Sequence, residues 1–157
     1  MASGLLAGAL AGAAGTTALD GATYLDMAVR GRPTSSTPQE SVERMSQRLG
    51  VDVPGRGDAR DNRVEGLAPL FGSLVGTSVG ALAAAVDRAF QRRGREVPTV
   101  IAAPLIGLAA MVASDLPLQR LGITDPRTWS ASDWASDVLP HLAYGVVTHA
   151  AIKAARP

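Results

Sequence analysis

Five aspartates and both histidines of this 157-residue chain lie in or beside long stretches that otherwise carry no charge. Asp20 and Asp26 come toward the end of the first stretch, Asp115 at the end of the third, and Asp133, Asp137 and His141 at the start of the fourth, with His149 further along it. Carboxylates and imidazoles can pass protons or hold cations, and in an apolar surrounding each is expensive to keep. Asp137 and His141 are four residues apart and so would touch on a helix surface. The same ridge runs on through Gly145, His149 and Lys153, and a second runs from the first stretch's glycines through Thr16 and Asp20 to Tyr24. If the ridges face one another, Asp20, Asp115, Asp137 and His141 are expected to form a polar pocket open to one side, able to relay protons or bind a cation.

A structural explanation covers the same residues. Asp133 and Asp137 fall in the first turns of a helix, where carboxylates suit the positive end of its dipole. Asp26 can reach an interface, and Arg30 or Arg120 can neutralise Asp26 or Asp115. Zinc is not expected, because the only two histidines, eight residues apart on one helix, are separated by about 12 Å along its axis. With no Cys, no hydrolase elbow, no phosphate-binding loop and no His-Glu-x-x-His, neither catalytic residues nor a cofactor are expected.

The elements that must position these groups are set by where charge is missing. Ala2 to Leu19 is 18 residues without charge, Leu67 to Val86 is 20, Val97 to Ser114 is 18, and Val138 to Ile152 is 15 and contains both histidines. Crossing a bilayer as a helix takes about 20 apolar residues. Only 18% of the chain is charged and 4% aromatic, too few large side chains for a well-filled soluble core. The expected fold is therefore all-α: a polytopic transmembrane four-helix bundle forming a single integral membrane domain over residues 1–157. Its helices are expected at about 2–28, 66–90, 97–117 and 131–154. Tyr24, Phe90, Trp129 and Trp134 fall near helix ends, at headgroup level. The first stretch lacks the basic start of a secretory signal and is expected to be a retained helix.

A polar loop, 30–63, separates the first two spans. In it Thr37-Pro38-Gln39-Glu40 has capping-box form, predicting a short amphipathic helix over 38–49 with Thr37 as its cap. Val42, Met45 and Leu49 make a narrow apolar stripe, expected to pack on the protein's own helices, and Gly50 is placed to stop the helix. Gly55 to Asn62 is predicted to be flexible loop, Pro117 to end or kink the third span, and Ser130 to Asp133 to cap the last helix. Lys and Arg number nine on the long-loop side against six on the other, which leaves orientation open. A net charge of +1 argues against nucleic acid.

Gly4, Gly8 and Gly12 in the first span and Gly72, Gly76 and Gly80 in the second form two ladders at every fourth residue. Such ladders allow close backbone approach in a membrane, here most simply between these two helices, otherwise in a homo-oligomer or with a foreign helix.

Leu121-Gly122-Ile123-Thr124-Asp125-Pro126, then Ser136-Asp137 and His141-Leu142, within 116–145, resemble the YagU-like family of small bacterial inner-membrane proteins. The Ala/Gly-rich first helix and Arg32-Pro33 add to the likeness. The resemblance implies a multi-pass protein of the cell inner membrane and draws attention to Asp137 and His141; it implies no particular activity. The expectation is a non-enzymatic accessory or organising component of a membrane assembly, with the lipid bilayer and a larger membrane complex or further copies as partners. The alternative is a proton or cation pathway through the Asp/His cluster.

Overall fold

The computed structural model describes the backbone of residues 2–156 and the side chains of residues 4–156. Among the described residues there are five α-helices: α1 (Ala2–Arg30), α2 (Thr37–Leu49), α3 (Asp58–Gln91), α4 (Thr99–Arg120) and α5 (Ala131–Ala154). A 3-10 turn at Pro126–Thr128 precedes α5, and no strand occurs among the described residues. α1 packs between α3 and α5, α5 packs also on α4, and α2 lies against α3.

Small residues explain these contacts. The buried apolar set is largely Ala and Val, among them Ala11, Val79, Ala84, Ala103 and Ala110, with Tyr144 and Ile152 as the large members. The bulky side chains point outward: Leu10 is 63% exposed, Leu82 67% and Val100 81%, with Leu70, Leu74, Leu105 and Leu108 also exposed. A water-soluble fold has the reverse distribution. α3 and α4 are both long and apolar enough to cross a membrane, and only 22% and 17% of their most apolar windows are buried. The core helix of a soluble protein would be mostly buried.

Several boundaries differ from those predicted. α3 begins at Asp58 rather than near 66, so most of the expected Gly55–Asn62 loop is helical. Its added turns have a packing reason: Val64 and Ala68 join Val42 and Val53 in a small core that binds α2 to α3. At 34 residues α3 is about 51 Å long, well beyond the roughly 30 Å hydrocarbon layer. α1 continues to Arg30, and α4 starts at Thr99 after Pro98.

Pro117 lies inside α4, which runs on one turn to Arg120. The end comes where Gly122 takes φ 71° and the Ile123 amide bonds the Leu118 carbonyl at 3.0 Å. At α2 the cap position belongs to Ser36, not Thr37; the Ser36 hydroxyl donates to the Glu40 carboxylate at 2.5 Å rather than capping an amide, and the Thr37 amide donates to Ser35 Oγ at 3.2 Å. Gly50, at φ 64°, closes α2, with the Val51 amide on the Ser46 carbonyl at 3.1 Å. Of the stripe, Val42 is buried, Met45 half-buried and Leu49 68% exposed. Ser130 and Asp133 form a reciprocal capping box on α5.

Candidate functional site

Two glycines determine where polar groups meet between α4 and α5. A Cβ on Gly107 would stand 2.5 Å from the His141 carbonyl oxygen, and one on Gly145 would stand 2.7 Å from the Gly107 nitrogen and overlap the Ala103 carbonyl. The two backbones are therefore in contact, as small residues permit. One and two turns further along, this crossing sets Ser114 and Asp115 of α4 against Asp137 and His141 of α5.

His141 Nδ1 is 2.8 Å from the Asp137 carbonyl oxygen and 3.4 Å from Asp137 Oδ1. Since a carbonyl can only accept, Nδ1 carries a proton and donates it there, leaving Nε2 toward Ser114 Oγ at 3.4 Å. Ser114 Oγ donates to the Met111 carbonyl at 2.9 Å and stands 3.3 Å from Asp115 Oδ1. The Asp115 and Asp137 carboxyls face each other, and the Oδ2 atom of each is buried without a hydrogen-bond partner. Facing carboxyls beside an imidazole can hold a proton between them. They are not arranged around a metal: among the described residues no group of three or more His, Asp or Glu could hold one.

Asp115, Asp137 and His141 are thus brought together, and Asp20 is not. Asp20 is exposed on α1, and no hydrogen bond or ion pair to it occurs among the described residues. Following the glycine ridge, it falls opposite Gly72, where the helices have parted: a Cβ on Gly72 would meet nothing within 4 Å. Sequence reasoning did not single out Ser114, Gly107 or Gly15. The only signal for Gly107 is a lone glycine in an apolar helix, which by itself predicts no contact.

Beside this cluster, Asp26 binds α1 to α5. Its Oδ2 accepts from Arg30 Nη2 and Arg32 Nε, both at 2.6 Å, and from Ser136 Oγ at 3.3 Å. The Arg30 guanidinium also reaches the hydroxyls of Ser132 and Ser136. Arg120 does not neutralise Asp115; its carbonyl accepts from Arg48 Nη2 of α2 at 3.0 Å. In the loop before α5, Asp125 accepts from the Arg127 amide and from Arg127 Nε, at 3.1 and 3.0 Å, which hold its carboxyl below the usual range. Trp129 and Trp134 meet edge to face, centroids 5.1 Å apart.

Toward the opposite end, α1, α3 and α5 meet around Gly76. The Tyr144 hydroxyl donates to the Gly76 carbonyl at 2.6 Å, and Gly15 lies directly against Thr148 and Tyr144. Thr148 and His149 are almost wholly buried, and Thr148 Oγ1 and His149 Nε2 have no partner. At the end itself, Arg156 binds Asp87 through Nη2 at 2.7 Å and Nε at 3.3 Å, and Glu96 through Nη1 at 2.6 Å.

No family model, no curated protein and no solved structure matches the chain.

Proposed function

We propose that the chain is a multi-pass integral membrane protein whose helices α1, α3, α4 and α5 each cross the bilayer, and that it works without catalysis as an accessory or organising component of a membrane assembly. The observation carrying this reading is the inverted side-chain distribution, with Ala, Gly and Val between the helices and Leu, Ile and Val outside. Lipid solvates such a surface and rewards close backbone contact within. α3 and α4 hold the most apolar windows, and α1 is packed between α3 and α5, and α5 along α4. If α3 and α4 cross, their neighbours cross with them.

An inner-membrane location follows from the resemblance to the YagU-like family. Gly8, Gly12, Gly76 and Gly80 are already engaged within the chain, which leaves the outward side of α2 and the open position at Gly72 for partners. Alkaline extraction of native membranes tests the first part: a spanning protein stays in the pellet. Gentle detergent extraction and mass spectrometry of the intact complex tests the second. Stoichiometric association with a different membrane protein supports the accessory role, and a chain recovered alone refutes it.

The buried, unpartnered Oδ2 atoms of Asp115 and Asp137 favour a second reading, a proton pathway using Asp115, Asp137 and His141. Proton flux in proteoliposomes that is lost in Asp137→Asn and His141→Ala at unchanged protein yield supports it. No flux in the wild-type chain refutes it.

A further inference from the structure

Arg88 is a half-buried cation on the terminal face with no acid of its own among the described residues. The two acids nearest it in sequence on that face, Asp87 and Glu96, are both engaged by Arg156, and Asp87 accepts in addition from Gln91 Nε2 at 2.5 Å. No ion pair to Arg88 occurs among the described residues, and the first turn of α1, which it overlies, holds no acid. Its guanidinium lies directly over the α1 backbone at Gly4, in the space any side chain there would fill.

That guanidinium edges an open cavity of about 40 Å³ between α1, α3 and α5. Ala7, Gly8, Ala84, Ile152 and Ala155 line it with apolar groups, and Arg88, Gln91 and Arg156 with donors; Asp87, the one acid in the lining, is neutralised by Arg156. Around it the face carries six cationic side chains, Arg88, Arg92, Arg93, Arg95, Lys153 and Arg156, against Asp87 and Glu96. Arg92, Arg93, Arg95 and Lys153 are exposed. Arg88 comes two residues after the uncharged Leu67–Val86 stretch, and Leu82 and Val86 are exposed on the turns just before it, 67% and 55%. A spanning α3 sets Arg88 at headgroup level, with Leu82 and Val86 facing lipid from the opposite side of the helix.

We propose that this cavity binds the phosphate of an anionic phospholipid, with Arg88 as its principal partner and the Arg92–Arg95 turn as a surrounding positive field. A planar guanidinium suits phosphate through paired N–H donors. The proposal rests on the membrane-spanning reading and names the lipid class that this face selects.

The test uses the full chain in phosphatidylcholine bilayers doped with spin-labelled phosphatidylglycerol or spin-labelled phosphatidylcholine. The wild-type chain is expected to prefer phosphatidylglycerol, and R88Q to lower that preference about fivefold, which is what roughly 1 kcal/mol per basic side chain at an anionic surface amounts to. R93Q, at the exposed turn, is expected to lower it less. Equal retention of the two lipids by the wild-type chain, or an R88Q chain that keeps the full preference, overturns the proposal. Should R88Q not fold, the wild-type chain in detergent still decides: phosphatidylglycerol raises its thermal midpoint and the same concentration of inorganic phosphate does not, and equal effects overturn the lipid assignment. Alkaline extraction separates the two failures. A chain that stays in the membrane without lipid preference refutes this site alone, and a chain released by alkali refutes the spanning reading beneath it.

Discussion

Gly12 and Gly80 touch backbone to backbone, so that a Cβ on Gly80 would stand 2.5 Å from the Gly12 nitrogen and overlap its Cα. This contact is one rung of a regular antiparallel register: Gly4 faces Arg88, Gly8 faces Ala84, Gly12 faces Gly80, and Thr16 faces Gly76. The register stops there, because α1 and α3 have separated by Gly72.

Gly80→Ala is therefore expected to lower stability by about 1–3 kcal/mol, since the added methyl has backbone on its far side and nothing to displace. Gly72→Ala, which meets open space, is expected to be neutral or to gain up to about 1 kcal/mol from helix propensity. Thermal unfolding of both variants in one detergent checks the pair. Equal losses would show that the rungs are not where α1 and α3 are closest.

Gly145→Val is expected to force α4 from α5 and so to part Asp115 and Ser114 from Asp137 and His141. The imidazole resonances of His141 should then shift, while those of His149, one turn beyond the crossing, should shift less. Nuclear magnetic resonance of the labelled histidines reads both. Unmoved His141 signals would mean that the cluster is positioned by something other than the Gly107–Gly145 contact.

Tyr144→Phe removes the hydroxyl that bonds the Gly76 carbonyl and leaves ring packing intact. A loss of about 1 kcal/mol is expected, the ordinary net worth of one hydrogen bond. Denaturation in detergent measures it, and no loss would mean that the Gly76 carbonyl is equally well served within α3.

Val42→Asp puts a carboxylate into the small core shared by Val53, Val64 and Ala68. It is expected to release α2, so that limited proteolysis cuts within residues 37–57 far faster while the midpoint of the helical bundle is little changed. A bundle that melts along with α2 would show that this core supports the whole fold.

Some of this was legible in a few residues at a time. The reciprocal bonds of Ser130 and Asp133 belong to a four-residue pattern with a local cause, as does the left-handed Gly50 that stops α2. The two helices long and apolar enough to cross a membrane, α3 and α4, lie over uncharged stretches because nothing but their own composition is needed to make them so. The first turns of α3 were not legible, because Asp58 to Gly66 is polar and is held helical by Val64 against α2, a contact between segments far from obvious in sequence. Pro117 shows the same limit: the signal for a helix end is genuine, yet the chain carries the missing bond for one more turn. In the site, the i+4 pairing of Asp137 with His141 could be read from spacing alone. The exclusion of Asp20 could not, since it depends on where α1 and α3 diverge.

α2 is fixed at two points, by its core to the early turns of α3 and by Arg48 to the carbonyl of Arg120 at the end of α4. α3 and α4 otherwise touch only lightly. α2 is in effect a tie rod across the mouth between them, mounted near the end of a mast about 51 Å tall. A change in the tilt of α3 relative to α4, small where the two helices touch, is magnified at that height and loads α2 first. A partner docked on α2 would thus receive a mechanical report on the helices below.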